Sequence, residues 1–247
     1  MSVIAIRNLC KRFGKNKVLN NLSLDIKKGE TLVILGRSGT GKSVLLKHII
    51  GILPPDSGTI ENETPSIQMG MLFQGAALFD SMTVGENTAF FLSEHGNLER
   101  GTKFSQEEIK AKVTAALGMV GLAGTEYKMP SELSGGMRKR AALARLIVYE
   151  PTILLYDEPT TGLDPITAMQ INELIVKTQG ELRSTSIVVT HDILSALYVA
   201  DRLALMDEGK IAYIDTPSNF LKIDHPIINF LKKTLTYDPL NIRAIYV

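Results

Sequence analysis

The sequence is poor in several features that would mark particular classes of protein. Its 247 residues include one cysteine, Cys10, so no disulfide can close within the chain; this suits a reducing compartment and makes the cytoplasm the expected setting. It lacks an excess of charge of either sign. The 27 Lys and Arg stand against 26 Asp and Glu, a formal charge of +1, far from the basic surplus that drives binding to a phosphate backbone, and no nucleic-acid partner is expected. Long apolar runs are missing too: the longest, 43–53 and 69–79, are broken by Lys47 and His48 or by Gln74, and the opening MSVIAIRNLCKRFGK has no apolar stretch behind a basic start. Neither a membrane span nor a signal peptide is expected, so any action at a membrane would pass through another chain. Aromatics are scarce at 6%, yet 45% hydrophobic and 21% charged residues describe a globular chain and exclude disorder and collagen. A chain of this length can bury a core without disulfides or metals.

Hydrophobic spacing alternates between two periods. Leu22, Leu24 and Ile26 share one face of a strand, with Ser23 and Asp25 between them, and a Lys27–Glu30 turn leads into a second strand, Thr31–Leu35. A glycine-rich loop, Gly36 to Gly41, separates that strand from a helix over Lys42–Leu53, which stops at Pro54-Pro55-Asp56-Ser57-Gly58. Ile67–Phe73 reads as another strand ending at Gln74. The middle is helical: Thr83 and Glu86 form a capping box, and Ile109, Val113, Leu117 and Val120 recur at helical spacing. A further helix is expected from Ser134 through Tyr149 to the stop at Pro151. Strands return at Ile153–Tyr156, Ser186–Thr190, Leu203–Met206 and Ile211–Ile214, and Asp164-Pro165 opens a helix to about Gln179. The polar stretch Asn97–Phe104 reads as a mobile loop. This alternation predicts an α/β core with a helical insertion.

Two segments carry chemistry directly. Gly36-Arg37-Ser38-Gly39-Thr40-Gly41-Lys42-Ser43 fits G-x-x-x-x-G-K-[ST] between a strand and a helix, the context that supports the match. Glycines let backbone N–H groups close on phosphate oxygens, Lys42 would reach the β- and γ-phosphates, and the Ser43 hydroxyl would ligate Mg²⁺. Ile153–Tyr156 runs into two adjacent acids, Asp157 and Glu158. Carried to the phosphate loop by its strand, Asp157 can hold Mg²⁺, and Glu158 then stands nearer the attacking water.

With Leu133-Ser134-Gly135-Gly136-Met137, Gln74, the Thr161-Gly162-Leu163-Asp164 turn after Pro159, and His191 after a strand, the chain resembles the ATPase subunits of ABC transporters. Phosphate loop, Q-loop, signature, Walker B, D-loop and H-loop occur in order over nearly the whole chain. The resemblance implies a P-loop NTPase (RecA-like) core, about 1–74 and 150–220, with an antiparallel β subdomain, an inserted α-helical signature subdomain at about 75–149 and a tail from about 221 to 247, all in one domain. It implies ATP and Mg²⁺ as ligands and a head-to-tail homodimer, in which Ser134, Gly135 and Gly136 would meet the γ-phosphate of ATP held by the partner's Lys42. Small residues opening a helix suit that contact, since they offer free N–H groups and a positive dipole end.

By the same resemblance Glu158 would be the general base or a water-polarising carboxylate, His191 would contact the γ-phosphate and orient the water, and Gln74 would bring its amide to Mg²⁺ and water. Asp164 would reach across the dimer as the D-loop acid or cap its own helix. Phe13 would stack on adenine or be a core aromatic. The basic run Arg138-Lys139-Arg140 reads as a solvated helix face. Met137 departs from the usual family Gln while the phosphate-binding Ser and glycines remain.

Phe73–Val84 and Ser134–Arg145 are similar to the branch that powers MCE-linked lipid transport, the Mla-type phospholipid systems. Partners implied are integral membrane permease subunits and an MCE-domain protein, with the ATPase peripheral on the cytoplasmic face of the inner membrane. A small-solute importer is the alternative, and a soluble mechanical ABC ATPase would carry long insertions that are missing between phosphate loop and signature. The apolar residues of the tail are expected to pack on the neighbouring ATPase subunit.

Overall fold

The computed structural model describes residues 2–62, 64–65, 68–96 and 101–235. Strands β1 (Ser2–Phe13) and β2 (Asn16–Lys27) form a hairpin across a turn in which Gly14 has a positive φ, and the later β4 (Ser57–Asn62) joins β1 on its other side. This small sheet, ordered β2-β1-β4, is antiparallel throughout. Leu22, Leu24 and Ile26 are buried on its inner face while Ser23 and Asp25 stay exposed, as the period-two pattern requires.

The second sheet holds β3 (Thr31–Leu35), β5 (Met69–Leu72), β6 (Ile153–Asp157), β7 (Thr185–Thr190), β8 (Arg202–Asp207) and β9 (Lys210–Asp215) in the order β5-β6-β7-β3-β8-β9. Five strands run parallel, and β9 closes the edge antiparallel to β8. Strands β3, β6 and β7 are buried along their whole length because elements cover both faces, so they read as unbroken apolar runs. Their alternate residues feed two cores. Ile153 and Leu155 of β6 join the core beneath β1, β2 and helix α1 (Lys42–Ile49), whereas Leu154 and Tyr156 join the one beneath the remaining helices.

Between β5 and β6 lie α2 (Val84–His95), α3 (Gln106–Met119) and α4 (Gly135–Ile147). The Thr83–Glu86 capping box is present, and a second one, Ser105 with Glu108, opens α3. After β6 come α5 (Pro165–Leu182), α6 (Ile193–Val199), α7 (Pro217–Phe220) and α8 (Pro226–Leu235). Among the described residues no helix is long and apolar enough to cross a membrane.

Some boundaries differ from expectation. Helix α1 ends at Ile49 rather than Leu53 because Gly51 takes a left-handed φ of 82°. Helix α5 continues past Gln179 to Leu182 and stops where Arg183 turns left-handed. The tail does find a surface on its own chain: Ile228 of α8 is fully buried, and Ile227, Leu231 and Leu235 pack on the larger core. Phe230 on the same helix stays 58% exposed, which leaves an apolar side chain for the expected contact with a neighbouring subunit, and 236–247 lie outside the described residues. So do residues 97–100 of the stretch read as a loop.

Candidate functional site

Parallel strands all end at one edge of a sheet, so the residues that follow β3, β6 and β7 are brought together there. The loop after β3 reaches α1 through Gly36 and Gly41. A Cβ on Gly36 would stand 2.7 Å from the Met206 carbonyl oxygen, and Gly41 has a φ of 101° with Val18 close behind it, so neither position has room for a side chain. Lys42 folds back over this loop: its Nζ donates to the carbonyls of Gly36 (2.8 Å) and Arg37 (3.0 Å) and lies 3.3 Å from Glu158 Oε1. Ser43, the second residue of α1, donates its hydroxyl to Asp157 Oδ1 at 2.6 Å.

Asp157 is the last residue of β6 and Glu158 turns left-handed beyond it, with its N–H bound to the Val189 carbonyl of β7 at 3.0 Å. That turn aims the Glu158 carboxylate back across the sheet edge. There Oε2 accepts from Thr161 Oγ at 3.1 Å and stands 2.8 Å from His191 Nδ1, and His191 follows β7. Burial pushes the Asp157 carboxyl above the usual carboxylate range, against the pull of the Ser43 hydroxyl, and the neighbouring Glu158 charge raises it further. Four of the expected residues, Lys42, Ser43, Asp157 and Glu158, thus interlock directly, and His191 joins them through Glu158.

Behind this cluster, Asp192 caps α6, and its carboxylate accepts from the Ser195 hydroxyl at 2.5 Å. Ser195 Oγ in turn accepts from Asn172 Nδ2 at 2.8 Å and lies 3.4 Å from Thr160 Oγ, so the segments after β6 and after β7 share one buried polar junction with α5.

Other expected residues stand apart. Among the described residues no hydrogen bond or ion pair joins Ser134, Gly135 or Gly136 to the phosphate loop of the same chain; Ser134 caps α4 through the Met137 N–H, and Gly136 packs against Thr167. Asp164 is the N-cap of α5, accepting from the N–H groups of Ile166 and Thr167 and from the Thr167 hydroxyl. Phe13 is 49% exposed at the end of β1, with the Lys11 ammonium 5.8 Å from its ring centre. It lies outside the lining of the groove of about 410 Å³ that runs from Asn16–Val18 past Arg37–Thr40 to Asp207–Gly209. Gln74 is exposed just beyond β5, and its carbonyl takes a hydrogen bond from Lys139.

That last contact corrects the reading of 138–140 as a solvated face. Lys139 is only 7% exposed, with Nζ 2.5 Å from the Gln74 carbonyl and 3.4 Å from that of Glu158; Arg138 pairs with Asp80, and Arg140 is half-buried. Successive helical residues point about 100° apart, so three in a row cannot share one solvent face on a helix packed from several sides. That geometric signal was available in the sequence for Lys139. Thr161, the hydroxyl partner of Glu158, gave no comparable one.

The donor set fits a nucleotide with Mg²⁺. Left-handed glycines, a helix start and Lys42 suit phosphate oxygens, and a hydroxyl beside a carboxylate is the hard-oxygen pair that Mg²⁺ takes together with phosphate.

Residues 19–161 match the family described as ABC transporter. The chain is 39% identical, over 91% of its own length and 67% of the relative's, to the probable ribonucleotide transport ATP-binding protein mkl of Mycobacterium leprae. It is 38% identical to the intermembrane phospholipid transport system ATP-binding protein MlaF of Haemophilus influenzae, over 94% of this chain and 90% of that one. Among solved structures it is similar to a dimeric ATP-binding cassette in a post-hydrolysis state bound to ADP and Pi, with a TM-score of 0.75 and 29% identity over 87% of this chain and 98% of that one.

Proposed function

The chain belongs to the ABC transporter family as an ATP-hydrolysing subunit, and on that footing we propose that it drives a separate membrane permease for phospholipid in an MCE-linked system. The observation that carries the catalytic part is the cluster in which Glu158 lies within reach of both Lys42 and His191 while Ser43 is bound to Asp157.

ATP would lay its β- and γ-phosphates on the N–H groups of Gly36–Ser43. Lys42, now shared between two carbonyls and Glu158, would exchange the carboxylate for phosphate oxygens. Glu158 would then be free to accept a proton from water. As the water oxygen bonds to the γ-phosphorus, the bond to the bridging oxygen breaks, leaving ADP and phosphate, and the proton passes to Glu158. His191 would hold the carboxylate and the water in line. Ser43, Asp157 and Gln74 would hold Mg²⁺, which neutralises charge developing on the phosphates. Two copies head to tail would place Ser134, Gly135 and Gly136 against the γ-phosphate on the facing phosphate loop, with Asp164 beside that seam and Phe13 near the adenine. Closing and reopening of this pair is the motion delivered to the permease on the inner face of the membrane.

Phospholipid as cargo is supported by the likeness to MlaF across nearly the whole of both chains and by the stretches 73–84 and 134–145. A small-solute importer is the second reading, favoured by a similar identity, 39% over 91% of this chain, to the probable ribonucleotide transport ATP-binding protein. A tagged Glu158→Gln protein, purified from detergent-solubilised membranes of its host, separates them by mass spectrometry of proteins and lipids. Recovery of a permease, an MCE-domain protein and enriched phospholipid is the expected result. A permease with a soluble solute-binding protein and no lipid enrichment would overturn the phospholipid reading in favour of the importer.

A further inference from the structure

Lys139 is a buried cation at the edge of the site to which none of the steps above gives work. It sits in the second turn of α4, the helix whose first residues, Gly135 and Gly136, would face the other subunit's nucleotide. Its aliphatic stem runs inward and its ammonium ends between two main-chain carbonyls, those of Gln74 and Glu158. These residues follow neighbouring parallel strands, β5 and β6, and each is the point where its strand hands over to a loop that would touch Mg²⁺, water or phosphate. The acids Asp157 and Glu158 act on the ammonium electrostatically, against the burial that lowers its pKa.

A buried ammonium is costly unless its donors are used. An apolar side chain would fill the same volume at lower cost if packing were the only requirement. A lysine here does something an apolar residue cannot: with three donors on one nitrogen it fixes two carbonyls relative to each other and to α4. The left-handed turn at Glu158 makes the carboxylate's aim depend on its backbone, so holding the Glu158 carbonyl also holds the direction of the carboxylate.

We propose that Lys139 is a positioning residue for ATP hydrolysis: by tying the carbonyls of Gln74 and Glu158 to α4, it sets the base and the Q-loop at their working separation and links them to the signature end of the same helix. The proposal rests on the ATPase reading. Lys139 touches neither substrate nor Mg²⁺ and acts through Glu158 and Gln74.

The test uses the full-length chain in complex with its permease, comparing wild type with Lys139→Met, Lys139→Gln and Lys139→Arg. Readouts are kcat and KM for MgATP, equilibrium binding of a fluorescent ATP analogue, and thermal unfolding. Displacing a catalytic group by about an ångström costs on the order of 100-fold in rate, so Lys139→Met and Lys139→Gln are expected to lower kcat about 10- to 100-fold. Nucleotide affinity should stay within about threefold of wild type, because no ground-state contact to ATP is removed. Lys139→Arg, which keeps charge and donors, is expected to recover most of the lost rate. In a Glu158→Gln background, Lys139→Met should cost clearly less than it does in wild type, since one of the two groups it positions is already gone.

If Lys139→Met folds poorly, Lys139→Gln and Lys139→Arg carry the comparison. Rates within twofold of wild type in the Met or Gln variant would overturn the proposal. So would a loss that follows nucleotide affinity or melting temperature instead of kcat, or an equal further loss on top of Glu158→Gln. A wild-type complex that binds ATP without hydrolysing it would instead overturn the ATPase reading, and the positioning role with it.

Discussion

The contact between Gly136 and Thr167 allows a prediction that can be worked from geometry. A Cβ at Gly136 would lie 2.5 Å from Thr167 Cγ2, about an ångström inside ordinary contact. Thr167 cannot simply rotate away, because its hydroxyl donates to Asp164 Oδ2 and its N–H to Oδ1, so moving it disturbs the cap of α5. Overpacking of this kind costs about 1–3 kcal/mol. For a chain of this size each kcal/mol moves the melting temperature by about 2–4 °C, so Gly136→Ala should melt roughly 2–12 °C below wild type. Thr167→Ser removes the clashing methyl and keeps the hydroxyl on Asp164, so the double variant Gly136→Ala/Thr167→Ser should regain most of the loss. Calorimetry of the four proteins tests this, and phosphate release from the same samples separates two roles of the glycine. If ATPase stays low while the melting temperature recovers, Gly136 is also needed for its backbone approach to nucleotide. An unchanged melting temperature in Gly136→Ala, or no recovery in the double variant, would refute the packing argument.

Three further outcomes are expected. Glu158→Gln should cut turnover by about 10²–10⁴ while ATP still binds, measured by phosphate release and equilibrium binding; near-normal turnover would remove Glu158 from the base role. Gly70→Ala should cost about 1–3 kcal/mol, because its Cβ would meet Leu146 and stand 2.5 Å from the Tyr149 hydroxyl, which donates to the Met69 carbonyl at 3.2 Å; thermal unfolding checks it. Asp164 is held below the ordinary carboxylate range, first by the Thr167 hydroxyl and then by the backbone N–H groups it caps. A depressed folded pKa gives stability that is complete above the unfolded value of about 3.9 and lost as pH falls through the folded one. The melting-temperature gap between wild type and Asp164→Ala should therefore hold constant above about pH 5 and shrink at more acidic pH.

The parts of the site legible in the sequence are those whose chemistry is local. The phosphate loop needs consecutive residues between one strand and one helix, and Asp157-Glu158 needs only an apolar run ahead of it, so both could be placed before any fold was known. Strand β4 escaped because its residues are largely exposed and follow a cluster of turn formers, and it forms only because β1 has a free edge to pair with. Helix α6, seven residues long, depends on Asp192 for its cap and was hidden behind the strand ending at Thr190. Lys139 shows the limit most clearly. Its neighbours in sequence are a basic pair at the surface or half-buried, while its neighbours in space come from β5 and β6, and only the folded sheet brings those ends under α4.

The junction at Ser195 has a consequence for how this region opens. Asn172, Thr160 and Asp192 come from α5, from the turn after β6 and from the start of α6, yet their polar groups meet at one buried hydroxyl. Opening any one of the three segments exposes the others' buried partners, so none can be released cheaply by itself. The amides of 158–164 and of 190–196 then belong to a single cooperative unit, protected and released from solvent exchange together although they are far apart in the chain. The turn after β6 and the start of α6 are therefore expected to open together, tied through α5, rather than as two independent loops.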